Sequence, residues 1–167
     1  MKTKLYLSVC SIFFSIFLIA INVIAEEVAS SIEGTYKIVS RKLPDGSTQN
    51  PPDILGLITF TKDARNFNII WKDKNGKMFS ISSVSNYKLT PTEYTEKNIY
   101  YMQNDEITGQ GVNYDFSGKS GSSPVKVANG RIEFKLPLFN EPFVVFEGNK
   151  FTATRQGEFI DYWEKVQ

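Results

Sequence analysis

The side chains able to do chemistry in this 167-residue chain are mainly carboxylates, tyrosines and arginines, because it contains no histidine and one cysteine, Cys10. Histidine and cysteine supply the common nucleophile–base pairs, zinc ligands and haem ligands. Cys10 lies in an N-terminal segment that we expect to be removed. We therefore predict no catalytic residue, no metal site and no cofactor for the mature protein.

The polar residues with the clearest spacing lie in the segment 94–101, where alternate positions fall on opposite faces of a predicted strand. Glu96 and Tyr100 share one face, and either face could be the inner one. A buried Glu96 would need a partner, since an unpaired buried carboxylate is costly. We predict Arg155 as that partner. The pair would either orient the polar head of a ligand or tie two strands together as a structural bridge.

Three short motifs resemble functional ones, but each fails one requirement of that function. The segment 118–120 ends like a phosphate-binding loop without its first glycine, and 73–76 lacks the downstream acidic ligand of a calcium loop. The acidic residues Glu158, Asp161 and Glu164 do not share one strand face, so their spacing does not support a glycosidase pair. Turns explain the first two better, and we expect no glycosidase activity from the third.

Residues 1–25 have the pattern of a cleavable secretory signal peptide. A positively charged start precedes the apolar run 5–24, and Val23-Ile24-Ala25 fits a small-residue cleavage site. About 20 apolar residues can also span a bilayer, so an uncleaved anchor is one alternative, and a lipid anchor at Cys10 is another. We predict export, to the periplasm or the outside medium, with no stable membrane anchor after cleavage.

Residues 26–167 have the length of one domain, and the charge of the chain is nearly balanced. There are 19 Lys and Arg against 18 Asp and Glu, a formal net charge of +1. No basic tract is present to attract nucleic acid, so we expect no nucleic-acid partner. With its cysteine removed, the domain must be stabilised by packing and strand pairing rather than by disulfides.

Short alternating segments rich in Tyr, Phe, Ile, Val and Thr recur along residues 34–166, separated by turn residues such as Asn129-Gly130 and Gly148-Asn149. A short helical turn over 26–32 is compatible with the sequence, but no long helix is. The pattern predicts an all-β fold, an up-and-down antiparallel β-barrel of about eight strands. The strands are expected near 34–43, 54–62, 66–73, 77–89, 93–103, 110–116, 124–128, 131–136, 142–148, 150–156 and 158–166.

Alternation also predicts which side chains face the interior. Phe67, Ile69 and Trp71 fall on one face of their strand and should point inward, where they would line a pocket or fill a packed core. The same reasoning places six further pairs inside: Tyr36 and Ile38, Ile58 and Phe60, Phe79 and Ile81, Ile132 and Phe134, Phe143 and Val145, and Phe151 and Ala153.

Four stretches share a family pattern: Gly34-Thr35-Tyr36-Lys37-Ile38-Val39-Ser40, Pro44-Asp45-Gly46, Tyr94-Thr95-Glu96-Lys97 and Asp161-Tyr162-Trp163-Glu164-Lys165-Val166. Through them the chain resembles the bacterial lipocalin-like β-barrel proteins of the calycin group. The family usually opens with Gly-x-Trp, whose indole closes the barrel floor, and here Tyr36 takes that position. The resemblance implies a barrel enclosing a small hydrophobic molecule, with structural roles in barrel closure for Tyr36 and Trp163.

The resulting hypothesis is an exported, non-enzymatic protein that binds or shields a small hydrophobic ligand. Its candidate ligand-binding residues are Phe67, Ile69, Trp71, Glu96, Tyr100 and Arg155. An alternative is an envelope or secreted interaction protein, such as a protease inhibitor, which would present the segment 26–32 or 117–124 as a protruding arm or loop; the sequence does not identify its partner. A third hypothesis is an isomerase or cyclase that uses Glu96 and Tyr100 on a hydrophobic substrate.

Overall fold

Alternating apolar residues and turn residues produce thirteen β-strands within residues 32–166, the part of the chain that this computed structural model describes. The predicted signal peptide, residues 1–25, and all but the last residue of the predicted helical turn lie outside that range. The strands are β1 (Gly34–Lys42), β2 (Thr48–Gln49), β3 (Ile54–Phe60), β4 (Ala64–Lys72), β5 (Met78–Leu89), β6 (Glu93–Asp105), β7 (Gly111–Asp115), β8 (Ser120–Pro124), β9 (Lys126–Ala128), β10 (Arg131–Lys135), β11 (Phe143–Glu147), β12 (Lys150–Arg155) and β13 (Phe159–Lys165).

All of these strands belong to one antiparallel sheet that curls into a barrel-like shape, so the all-β antiparallel prediction is confirmed. Its main path is β7-β6-β5-β4-β3-β1-β13-β12-β11-β10-β9. The first long strand therefore lies beside the last one. β2 pairs with β1, and β7 and β8 lie one after the other along β6, since they pair with different halves of that long strand.

Turn residues at left-handed positions connect neighbouring strands as the sequence predicts. Gly46, Gly76 and Gly148 have φ angles of 85°, 79° and 57°, and Asn129 and Gly130 follow with 54° and 74°. Such angles suit the tight reversals of antiparallel hairpins. The meander is thus encoded locally, one turn at a time.

Side-chain contacts connect the two ends of the curled sheet. Tyr94 of β6 stacks on Phe134 of β10 with ring centroids 4.4 Å apart. The segment 136–142, between β10 and β11, lays Phe139 on Tyr101 of β6 at 4.1 Å. These contacts complete the enclosure of an interior space.

An aromatic cluster packs around Tyr36 on the inner face. Tyr36 is fully buried and meets Phe60, Phe146 and Phe151 edge-on at centroid distances of 5.1–6.4 Å. Its hydroxyl donates a hydrogen bond to the Ile32 carbonyl at 3.2 Å. Edge-on aromatic pairs contribute roughly 0.5–1.5 kcal/mol each beyond the area they bury. The cluster gives Tyr36 a packing role on the inner face, and its assigned role in barrel closure stays a prediction.

The predicted inner face of β11 is wrong by one residue. Val144 and Phe146 are 1% and 2% exposed, whereas Phe143 is 43% exposed and Val145 lies on the same outer face. Val144 pairs with Phe134 of β10, and directly paired residues share a face of the sheet. The run Phe-Val-Val-Phe is apolar on both faces, so only its neighbours determine its orientation.

Two β-bulges exchange the inner and outer faces within a strand. In β1 the register moves from Ile38 opposite Trp163 to Ser40 opposite Tyr162, which leaves Val39 without a partner. In β6 Ile99 is left without a partner between Asn98 and Tyr100. An extra residue on one strand breaks the alternation of faces. Each bulge therefore moves a polar side chain to a face that simple alternation does not predict.

Candidate functional site

The sheet encloses a cavity of about 370 Å³. Its lining comes from both halves of the sheet and from the segment 136–142. The aromatic lining residues are Phe60, Phe67, Trp71, Phe79, Tyr101, Phe139, Phe151, Phe159 and Trp163. A space of this size and character is within the range that holds small organic ligands.

The predicted inner face of β4 is confirmed. Phe67, Ile69 and Trp71 all line the cavity, while Asn68 and Ile70 are exposed on the other face. Trp71 stacks on Phe79 of the next strand at 4.4 Å. These side chains form one continuous apolar wall, and their contact with a ligand stays a prediction.

One buried ion pair lies in this lining between β1 and β13. The bulge at Val39 turns Arg41 inward, where its Nε lies 2.6 Å from Asp161 Oδ1 and its Nη2 lies 2.8 Å from Asp161 Oδ2. The guanidinium is also 4.4 Å from the Trp71 ring centroid and 4.1 Å from that of Phe159. Burial raises the pKa of Asp161, and the hydrogen bonds from Arg41 oppose that rise. One charge of each sign meets here in bidentate geometry.

A second buried cluster joins β4, β6 and the segment 136–142. Arg65 Nη2 lies 2.8 Å from Glu96 Oε1 and 2.7 Å from Glu141 Oε1. The side chains of these three residues are only 2%, 0% and 11% exposed. The Tyr94 hydroxyl donates to Glu96 Oε2 at 3.0 Å. With every group ionised, one cation faces two carboxylates.

Three polar atoms on residues that line the cavity are buried without a hydrogen-bond partner in residues 32–166: Arg65 Nε, Glu141 Oε2 and Trp163 Nε1. Folded proteins leave few buried polar atoms in this state. The pKa of Glu141 is raised to about 7, mainly by burial; the charge of Arg65 opposes this rise and that of Glu96 adds to it. The cavity lining thus has one unused acceptor, on Glu141, and two unused donors, on Arg65 and Trp163.

The structure places Glu96 inside but gives it a partner other than the one we predicted. Arg65 binds Glu96, whereas Arg155 donates to the Asn140 carbonyl at 2.6 and 3.1 Å and pairs with Glu158 at 3.0 Å. The predicted strand began at residue 66, one residue after Arg65, while β4 begins at Ala64. Arg65 is in phase with the inward Phe67, and this alternation was the signal that could have identified it.

Tyr100 does not share the inner face with Glu96, which corrects the predicted pairing of these two residues. The bulge at Ile99 turns Tyr100 out of the lining, where its hydroxyl lies 3.2 Å from Ser82 Oγ. Tyr101 lines the cavity instead and donates to Gln103 Oε1 at 2.8 Å. Arg155 does line the cavity, at a position that is 30% exposed.

Trp163, which we predicted to close the barrel, lies in the cavity wall. It is 2% exposed and stacks on Phe151 with centroids 5.4 Å apart. Gly56 of β3 lies against it so closely that an added Cβ would be 2.8 Å from Trp163 Cη2. The glycine thus provides the space that the indole occupies.

The segment 136–142 brings Phe139 and Glu141 to the cavity, and sequence reasoning missed both. Phe139 and Asn140 have φ angles of 49° and 53°. This left-handed conformation is unfavourable for a bulky residue such as Phe139 and persists only where surrounding contacts hold it. Here the contacts include the stacking on Tyr101 and the two hydrogen bonds from Arg155.

The segment 117–124, predicted as a protruding loop, is largely part of the sheet. Its residues Ser120–Pro124 form β8 and pair with β6. The other candidate for a protruding element, 26–32, lies outside the described residues apart from Ile32, which is buried.

Within residues 32–166, no three His, Cys, Asp or Glu side chains are grouped as a metal site would require. The same residues contain no helix with the length and hydropathy of a membrane span. Comparison of the chain with protein-family models, with curated proteins and with solved structures gives no match.

Proposed function

We propose that the protein is an exported, non-enzymatic, lipocalin-like barrel that binds or shields a small hydrophobic ligand in its interior. The observation that carries this proposal is the aromatic cavity of about 370 Å³ enclosed by the curled sheet. The apolar N-terminal segment and the family resemblance in sequence support export and barrel type.

The state of the cavity wall favours a ligand over a filled core. Phe67, Trp71, Phe79 and Ile81 point inward but are only half-buried. Each would lose further contact with water when a ligand covers it, and burying apolar surface contributes roughly 25 cal/mol per Å². The wall therefore has apolar surface that folding leaves exposed to the cavity and that a ligand would bury.

The positions of Glu96 and Tyr100 favour binding over catalysis. An acid–base pair must reach the same substrate atoms. Glu96 is fully buried behind Arg65, and Tyr100 lies outside the lining. The pair considered for isomerase or cyclase chemistry is therefore divided between two faces of β6.

Native mass spectrometry with solvent extraction tests this function on the protein purified from its own cell envelope. We expect a stoichiometric small molecule, largely apolar, that is released when the protein unfolds. The same measurement is made on a variant in which a larger side chain fills the cavity. A protein that carries no molecule and binds no apolar probe in solution would overturn the proposal.

Ala153→Phe is that cavity-filling variant, because Ala153 lines the cavity and is 5% exposed. Thr152→Phe is its control, since the neighbouring position on β12 lies on the opposite face. Titration with N-phenyl-1-naphthylamine, a neutral apolar fluorophore, should show binding to the native protein and to Thr152→Phe. We expect Ala153→Phe to weaken binding at least about tenfold, because a phenyl group would occupy the ligand's space.

A further inference from the structure

The charges around the cavity leave one carboxylate in excess, and this imbalance bears on the ligand that we propose it holds. Arg41 is matched by Asp161, and Arg155 is matched by Glu158. Arg65 faces two carboxylates. Fully ionised, these groups carry four negative charges and three positive ones, and the excess lies at the Arg65 cluster.

Glu141 is the member of that cluster most accessible to a ligand. Glu96 is fully buried, and its Oε2 accepts a hydrogen bond from Tyr94. Glu141 lines the cavity, and its Oε2 has no partner in the described part of the chain. A buried carboxylate oxygen in this state is stabilised by a proton or by a cationic hydrogen-bond donor.

The walls beside Glu141 also suit a cation. Phe139, two residues from Glu141, stacks on Tyr101. The guanidinium carbon of Arg65 lies 5.9 Å from the centroid of the Phe67 ring. The faces of aromatic rings attract positive charge. Phe67 and Phe139 thus place aromatic rings in the same region as the unpartnered carboxylate oxygen of Glu141.

We propose that the ligand is an amphiphile whose polar end is a protonated amine, and that Glu141 binds this amine while the apolar part lies against the aromatic wall of Phe67, Trp71 and Trp163. The inference rests on the proposed ligand-binding function. A carboxylate head would add a third negative charge beside Glu96 and Glu141, and Arg65 is already shared between those two. The unused donors Arg65 Nε and Trp163 Nε1 suit a neutral acceptor, such as a carbonyl or ether oxygen on the same ligand.

Three probes with one apolar chain and different heads test this inference: decylamine, decanol and decanoate. Binding is followed by the fluorescence of the chain's two tryptophans, Trp71 and Trp163, which both line the cavity. At pH 8 we expect the amine to bind at least about tenfold tighter than the alcohol, the size expected for a charge-assisted hydrogen bond. Decanoate should bind more weakly than decanol.

Glu141→Gln should remove the preference for the amine and leave decanol binding within about twofold of native, because the amide keeps the shape without the charge. Glu158→Gln is the matched control, since that carboxylate also lines the cavity but is 53% exposed and paired with Arg155. The control should keep the preference. A preference for the amine that persists in Glu141→Gln would overturn the assignment to Glu141.

A measurement on the native protein keeps the inference testable if Glu141→Gln does not fold. The charged and titratable groups facing Glu141 are Arg65, Tyr94, Glu96, Tyr101 and Arg155. With its pKa raised to about 7 by burial, Glu141 is mostly protonated at pH 6 and must lose that proton to bind an ammonium group. Calorimetry at pH 6 in buffers of different ionisation enthalpy should show proton release with decylamine and little with decanol. Equal proton release with both probes, or none with either, contradicts the inference.

The outcomes separate this inference from the proposed function. If decanol or decanoate binds as tightly as decylamine, the cavity is a ligand site and the amine assignment is wrong. If the protein carries no molecule and binds neither the three probes nor N-phenyl-1-naphthylamine, the proposed function fails as well.

Discussion

Arg41 and Arg65 are both buried on the inner face of the sheet, yet they have different surroundings. Arg41 meets one carboxylate in bidentate geometry and lies against two aromatic rings. Arg65 meets two carboxylates through one nitrogen and keeps an unpartnered Nε among the described residues. The first pair is balanced in charge, while the second cluster has an excess of negative charge and unused hydrogen-bonding atoms. We infer that the first stabilises the curled sheet and that the second is available to the proposed ligand.

The backbone supports the two clusters in different ways. Arg41 and Asp161 lie directly opposite each other in the ladder between β1 and β13. Arg65 and Glu96 lie on β4 and β6, with β5 between them, and Glu141 comes from the segment 136–142. A ladder fixes the geometry of a pair more tightly than a connecting segment does. This difference makes the Arg65 cluster the more adaptable of the two.

The largest expected effect comes from Asp161→Asn. The amide removes the counter-charge of Arg41, which stays ionised because a guanidinium does not deprotonate in proteins. An isolated buried charge of this kind costs about 3–5 kcal/mol in the free energy of unfolding. Urea denaturation at pH 7 measures the loss, and a change below about 1 kcal/mol would contradict a stabilising role for the pair.

The double variant Arg41→Met/Asp161→Leu is the control for that measurement. It removes both charges and replaces them with apolar side chains beside Trp71 and Phe159. Substituting a whole buried ion pair in this way is often close to neutral. We therefore expect the double variant to recover most of the stability that Asp161→Asn loses.

A smaller effect, on the order of 1–3 kcal/mol, should appear in the pH dependence of stability and originate from Glu141. Its pKa is raised from 4.5 to about 7 in the folded protein, so folding favours the protonated form. The contribution is fully present below pH 4.5 and is lost as the pH rises through 7. Urea denaturation from pH 5 to 8 should show stability falling with pH. Because the folded-state pKa values of Asp45, Asp73, Asp105 and Asp115 are lowered, those groups stay ionised throughout this range.

Glu141→Gln tests the origin of that slope. The variant should flatten the pH dependence and, at pH 8, lie within about 1 kcal/mol of the native protein, because Arg65 then has one carboxylate partner in Glu96. The same change from carboxylate to amide would thus be costly at Asp161 and nearly neutral at Glu141. Equal losses at the two positions would remove the distinction between the clusters.

Much of the fold was predictable because it is encoded by short-range alternation and turn residues. The inner face of β4 follows from Phe67, Ile69 and Trp71, and the hairpin turns follow from Gly76 and Gly148. Alternation fails where the backbone inserts an extra residue. The bulges at Val39 and Ile99 depend on pairing with distant strands, so counting residues along β1 or β6 did not reveal them.

The candidate site was less predictable because its members are distant in sequence. Glu141 lies 76 residues from Arg65, and the segment that carries it has no alternating pattern. Arg65 was missed because the predicted strand began at residue 66, whereas β4 begins at Ala64. Glu96 was singled out by alternation, which left either face open, and the cost of burying a carboxylate requires a partner without showing which one. Local patterns thus predicted the walls, while the polar cluster depended on tertiary packing.

The smallest effect concerns the support of Glu141 by Arg155. Arg155 donates two hydrogen bonds to the Asn140 carbonyl, next to Glu141, so Arg155→Gln should loosen the segment 136–142. We expect a loss of about 1 kcal/mol or less, since the side chain is 30% exposed, but faster amide exchange within that segment. Hydrogen exchange of the amides of Arg41 and Asp161 should not change, because their ladder does not involve the segment. Arg131→Gln, which removes an exposed arginine from β10, is the matched control. Unchanged exchange in 136–142 would show that the geometry of the Arg65 cluster is as fixed as that of Arg41 and Asp161, and would contradict the adaptability inferred for it.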